Sequence, residues 1–129
     1  YPLRRQRQMC IRDSYCNAHG TATIVGDVVE SQALEAVWGA DLDRLGVSST
    51  KSMHGHLLGA AGALEAVITT LSLWHRKTPP NMHVGTQDPA CAIRLITKPH
   101  TVAPDLRAAI SNSFAFGGTN AVLVFKQVD

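Results

Sequence analysis

Two histidines stand where a short polar stretch meets a glycine: His19 in Asn17-Ala18-His19-Gly20-Thr21, and His56 in His54-Gly55-His56-Leu57. An imidazole kept neutral offers one N–H to an oxygen that gains negative charge during a reaction. His56 directly precedes Leu57-Leu58-Gly59-Ala60-Ala61-Gly62-Ala63, which reads as a helix start. A helix N-terminus carries partial positive charge and disfavours a protonated imidazole there. The chemistry this pair points to is stabilisation of an oxyanion. The competing reading of each is a hydrogen-bonded structural histidine. His54-x-His56 also hints at a metal, but no carboxylate or cysteine stands at ligand spacing, so none is expected.

Between Leu45 and Trp74 only Lys51 and Glu65 carry full charges. A lone buried charge is costly and two opposite ones neutralise each other, so the pair is expected to meet, the alternative being that both reach solvent. The stretch Phe114-Ala115-Phe116-Gly117-Gly118-Thr119-Asn120 places adjacent glycines between two apolar runs. Such glycines permit positive φ angles and close approach of backbone N–H groups to a ligand, or simply a hairpin turn. No GK[ST] follows, which argues against a phosphate loop. Of the three cysteines, Cys10, Cys16 and Cys91, none shows the helix start or cationic neighbours that activate a thiol.

The elements that must hold these residues follow from periodicity. Tyr15 to Ala18 reads as a strand end, and Asp27 to Trp38 as a helix with Val28, Val29, Ala33, Leu34 and Val37 at helical spacing, ended by Gly39. Val47 to Ser49 is a short strand and Thr50 to Gly55 a polar loop. A long helix is expected from about Leu57 to Arg76, stopped by Pro79-Pro80, with close backbone packing at its glycines. Ile93 to Ile96, Ala108 to Ser111 and Ala121 to Phe125 read as strands. Strands mixed with buried helices indicate an α/β domain.

The 129 residues, 45% hydrophobic and 17% charged, suffice for one domain with a core. A net charge of +2, with Arg4, Arg5, Arg7 and Arg12 crowded at the start, gives no case for nucleic-acid binding. Few scattered cysteines and no secretory signal indicate a cytoplasmic setting. Leu57 to Trp74 approaches membrane-spanning length, but its polar residues mark it as a helix of a soluble protein, with no membrane partner.

Three blocks together carry a family resemblance. Asn17-Ala18-His19-Gly20-Thr21-Ala22-Thr23 followed by Gly26-Asp27-x-x-Glu30 resembles the first histidine block of the β-ketoacyl synthases. Ser48 to Gly62, with Lys51-Ser52-Met53-His54-Gly55-His56, resembles their lysine and second histidine block. Asn112 to Asn120 resembles their C-terminal gate loop, and Pro79-Pro80-Asn81 also fits. The likeness covers Tyr15 to Lys126 and is nearest to the type II elongating synthases of bacterial fatty-acid synthesis. It implies the C-terminal half of a thiolase-like α/β/α layered fold, working as a homodimer with acyl carrier protein as partner.

The resemblance implies decarboxylative Claisen condensation, with malonyl-carrier protein adding to an enzyme-bound acyl group. His19 and His56 would bind the malonyl thioester and stabilise its enolate, while Lys51 with Glu65 would organise the site. Phe116 would supply a backbone N–H to the acyl oxyanion hole and gate the pocket. Thr21 and Thr23 would hydrogen-bond the phosphopantetheine arm, which the substrate carries, so no separate cofactor is expected. The family's nucleophilic cysteine belongs to the first half, and no such block is present here, so the chain alone is expected to be inactive. Other readings are a polyketide-type ketosynthase or its non-condensing partner subunit, or a non-catalytic binding remnant. Two departures stand out: Ala115 where the family commonly has glycine, and His54 where the subgroup commonly has threonine. Residues 1–14 resemble translated adapter sequence and are expected to be a non-native leader to the domain at 15–129, the alternative being a basic arm for an acidic partner.

Overall fold

The computed structural model describes residues 14–99 and 101–128, so the leader expected at residues 1–14 lies outside the described residues except for Ser14. The elements in chain order are β1 (Ser14–Asn17), α1 (Gly26–Trp38), a 3-10 helix (Gly39–Arg44), β2 (Leu45–Ser48) and α2 (Lys51–His54). A second 3-10 turn (Leu58–Ala60) leads into α3 (Ala61–His75). Then come β3 (Lys77–Thr78), β4 (Arg94–Leu95), β5 (Thr101–Val102), β6 (Ala108–Ala115), a 3-10 turn (Phe116–Gly118) and β7 (Thr119–Lys126).

One sheet has the order β4-β2-β1-β6-β7, and β3 pairs with β5 in a small second one. β1 lies parallel to both β2 and β6, whereas β7 returns antiparallel to β6. Successive residues of a strand point to opposite faces. Cys16 therefore joins Leu34, Leu42, Leu45 and Val47 on the α1 side, while Tyr15 joins Leu73, Ile96, Leu106 and Ala109 on the α3 side. A parallel sheet covered on both faces is the α/β layering expected.

Local physics explains where the elements differ from the sequence reading. Strand β1 already includes Ser14, which is buried. Thr50 to Gly55 is not a loop: its centre winds into α2, closed by Gly55 at φ 76° with its N–H on Lys51 O at 2.8 Å. Helix α3 starts at Ala61, not Leu57, because Leu58 adopts φ 50° and breaks the run. His56 is therefore a loop residue rather than a helix N-terminus. α3 ends at Arg76 in the left-handed region, before Pro79-Pro80, and a two-residue strand intervenes. The glycines at its start are not tightly packed: a Cβ at Gly59 would meet nothing within 4 Å, and one at Gly62 only Ser113 Oγ at 3.5 Å.

The buried helix faces are the less expected ones. In α1 the buried residues are Glu30, Ser31 and Leu34, while Val29 and Val37 are exposed. In α3 the buried set is Ala61, Glu65, Thr69, Ser72 and Leu73, and Trp74 is 80% exposed. Of these polar residues, Thr69 and Ser72 donate to the carbonyls of Glu65 and Ile68 in their own helix. Val122, Leu123 and Val124 of β7 are also exposed, on both sides of that edge strand.

Candidate active site

Every motif of interest converges on the carboxyl ends of the parallel strands, where open α/β sheets bind ligands. His19 follows β1, Lys51 follows β2, and Phe114 lies near the end of β6. The imidazoles of His19 and His56 meet edge to face, with centroids 5.5 Å apart and planes at 88°. The ring of Phe114 packs against the other side of His19, also at 5.5 Å.

His19 is held through its backbone. Glu30 Oε1 accepts the His19 N–H and Oε2 the Gly20 N–H, each at 2.9 Å. Asn112 Nδ2 donates to the same Oε1 at 3.0 Å, which ties α1 and β6 to the histidine turn. Gly20 has φ +37° and its carbonyl accepts from Ser49 Oγ at 2.9 Å. Burial, helped by the Lys51 charge, pushes the His19 imidazole below its ordinary range, outweighing the opposite pull of Glu30 and Glu65. The neutral ring is thus favoured. Its Nδ1 is buried and has no hydrogen-bond partner among the described residues.

His56 is exposed, and its Nδ1 accepts the Leu58 N–H at 3.3 Å. In the neutral ring that bond leaves the proton on Nε2, which is then a donor. Leu58 makes the bond from its positive φ, a conformation that costs a non-glycine residue roughly 1–3 kcal/mol. The local turn, not a helix dipole, therefore orients this donor.

Lys51 and Glu65 form a buried ion pair through Nζ and Oε1, the lysine side chain 5% exposed and the glutamate 0%. The lysine turn is braced from below by the Pro79 to Met82 segment. Pro79 O accepts from Ser48 Oγ at 2.8 Å, Asn81 Oδ1 from Ser49 N–H at 2.9 Å, and Ser52 Oγ from Met82 N–H at 2.9 Å.

Thr21 and Thr23 lie in the loop after His19, their hydroxyls 3.4 Å apart across Ala22, whose φ is 60°. Phe116 is not drawn into the cluster: its ring is fully exposed in the turn that Gly117 and Gly118 make at φ 77° each. The turn is thus both a hairpin connection and a positive-φ loop. Cys16 is fully buried, and burial pushes its thiol well up, so it is no poised nucleophile. Cys91 shifts in the same direction, by burial and then Asp88. Sequence reasoning gave no role to Glu30, Phe114, Asn112, Thr50 or Asn17. Only Glu30 carried a signal, as the carboxylate of Gly26-Asp27-x-x-Glu30.

The arrangement brings two imidazoles together, with a buried ion pair and a glycine turn in the same cluster. Solved structures share the frame. A β-ketoacyl synthase from Burkholderia phymatum STM815 is 44% identical and superposes with a TM-score of 0.82, over 90% of this chain and 28% of that one. A type II PKS acyl-carrier protein in complex with its ketosynthase bound to the hexaketide gives 31% identity and a TM-score of 0.86, over 94% of this chain and 29% of that one. The fold is that of the thiolase-like ketosynthases. The family model described as β-ketoacyl synthase, C-terminal domain, matches residues 11–85, and the chain belongs to that family. It is 47% identical to 3-oxoacyl-[acyl-carrier-protein] synthase 2 of Staphylococcus aureus (strain COL) over 115 residues, which is 89% of this chain and 28% of that protein. The chain spans 28% of the length of these curated relatives.

Proposed function

We propose that this chain supplies the decarboxylation half of a β-ketoacyl-[acyl carrier protein] synthase active in fatty-acid elongation. The observation that carries the reading is the edge-to-face meeting of the His19 and His56 rings, backed by the buried Lys51–Glu65 pair. In the reaction the malonyl C–C bond breaks, carbon dioxide leaves, and the electron pair moves onto the thioester oxygen as an enolate. The two imidazole N–H groups stabilise that charge. The enolate carbon then attacks an acyl thioester on a cysteine contributed by the remainder of the protein, and the thiolate departs. Lys51 and Glu65 position the histidine turn, Thr21 and Thr23 bind the pantetheine arm, and the Phe116 N–H serves the acyl oxyanion while its ring gates the pocket.

The partner is acyl carrier protein, whose phosphopantetheine delivers the substrate, so no cofactor of the protein's own takes part. The exposed apolar residues of α3 and β7 are covered by the remainder of a cytoplasmic homodimer. The chain by itself is then inactive. A polyketide ketosynthase is the second reading, favoured by the TM-score of 0.86 but set back by 31% identity against 47% for the fatty-acid relative. No helix of the described residues is long and apolar enough to cross a membrane.

The test is condensation by the protein expressed from its complete reading frame, supplied with an acyl-carrier protein and malonyl-carrier protein. The reading expects a 3-oxoacyl product and equimolar carbon dioxide. Binding of carrier protein with neither product would overturn it.

A further inference from the structure

His54 has no role in the reaction as described, yet both of its ring nitrogens are engaged. Nδ1 lies 2.8 Å from Gly55 O, and Nε2 lies 3.1 Å from Thr50 Oγ1. A carbonyl only accepts, so Nδ1 carries the proton. In the neutral ring Nε2 is then an acceptor, and the Thr50 hydroxyl donates to it in preference to Asn17 Oδ1, which lies farther off at 3.3 Å. Thr50 Oγ1 in turn accepts from Asn17 Nδ2 at 3.1 Å, while Asn17 Oδ1 faces the Thr50 N–H at 3.4 Å. A chain of hydrogen bonds thus runs from the buried end of β1, through Thr50 and His54, to Gly55 O.

That last carbonyl belongs to the peptide plane leading into His56. Gly55 sits at φ 76° and ψ −177°, and its N–H is already bound to Lys51 O. The N–H on Lys51 holds the plane before Gly55, and the carbonyl on His54 holds the next plane, the one that leads into His56. His56 itself is exposed, and its one described side-chain bond is the Leu58 contact. The direction of its ring is therefore set by that plane together with the Leu58 bond and the His19 ring.

We propose that His54 is a positioning residue that aims His56 through the Gly55 peptide, in the Nδ1–H tautomer. This rests on the enolate-stabilising role given to His56 above. Asn17 and Thr50 extend the same tether to the strand that also carries His19, so both histidines take their position from one buried polar link. Low-dielectric surroundings favour such a link when every member is satisfied. Asn17 and Thr50 are both 0% exposed.

The test uses the protein from its complete reading frame, labelled with 15N-histidine. The expected spectrum gives His54 a protonated Nδ1 and an unprotonated Nε2. His54→Ala should lower the rate of malonyl decarboxylation about tenfold, on the order of one hydrogen bond, with KM nearly unchanged. Thr50→Val should lower it similarly, and the double variant no further, because both act through one chain. An Nε2–H tautomer for His54, or additive losses in the double variant, would overturn the proposal. If His54→Ala unfolds the protein, the spectrum of the wild type and the Thr50→Val rate still decide. Should His56→Ala leave decarboxylation intact, the enolate reading fails instead, whatever the tautomer of His54.

Discussion

Both carboxylate oxygens of Glu30 are spent on the turn that carries His19, Oε1 on the His19 N–H and Oε2 on the Gly20 N–H, at 2.9 Å each. A side chain in α1 thereby sets the backbone of a residue beyond the end of β1. The imidazole is left free of structural duty and available to a substrate. Glu30 is 5% exposed, so water cannot substitute for these bonds. Glu30→Gln retains the shape but exchanges one acceptor for a donor, which confronts an N–H with an N–H. The expected loss is about 1–3 kcal/mol in urea unfolding, with a matching drop in decarboxylation.

The Lys51–Glu65 pair separates stability from activity. Lys51→Met alone strands a buried carboxylate and should cost about 3–5 kcal/mol. Adding Glu65→Leu should return most of that stability, because well-packed apolar groups replace buried ion pairs at little cost. Activity should not return, since the charge beside His19 is gone. Denaturant melts and rate measurements on the two variants check both halves.

The pH response follows from His19. Its folded-state titration lies below the ordinary imidazole range, through burial first and the Lys51 charge second. In the unfolded chain the same ring takes up its proton at higher pH. As pH falls through the ordinary imidazole range, the unfolded state therefore binds more protons, and the folded state loses stability. NMR titration should place the His19 midpoint below that of a free histidine. In Lys51→Met the midpoint should rise.

Gly20 is a tight backbone position at the site. A Cβ there would lie 2.6 Å from Ser49 Cβ, at a φ of +37°. Gly20→Ala should therefore displace the turn that carries His19, costing about 1–3 kcal/mol of stability and most of the decarboxylation rate. Gly59→Ala, with open space around it, serves as the comparison and should be tolerated.

Much of this was legible in the sequence because the blocks are local. His19, Lys51 and His56 each sit among glycines and small residues, and Lys51 and Glu65 are the two charges between Leu45 and Trp74. The strands and α1 came from periodicity and Gly39. The start of α3 was not legible, since a positive φ at Leu58 has no signature in an apolar run. The buried polar residues of α1 and α3 run against the usual amphipathic rule, because Glu30 and Glu65 serve the site while Thr69 and Ser72 bond carbonyls of their own helix. Glu30, Phe114 and the Asn17–Thr50–His54 chain act across long sequence separations, which spacing cannot reveal. Phe116, by contrast, stands exposed where the resemblance would have it approach the acyl group.

The central claim is that His19 and His56 act together on the malonyl enolate, and decarboxylation measured apart from condensation tests it most directly. Residues 14–128, joined behind the preceding part of the Staphylococcus aureus relative, would be given malonyl-carrier protein and carbon dioxide release followed. The account predicts that His19→Ala and His56→Ala each lower that release by roughly a hundred- to thousandfold while acyl transfer to the cysteine persists. Undiminished release from either variant, or equal loss of acyl transfer, would contradict it.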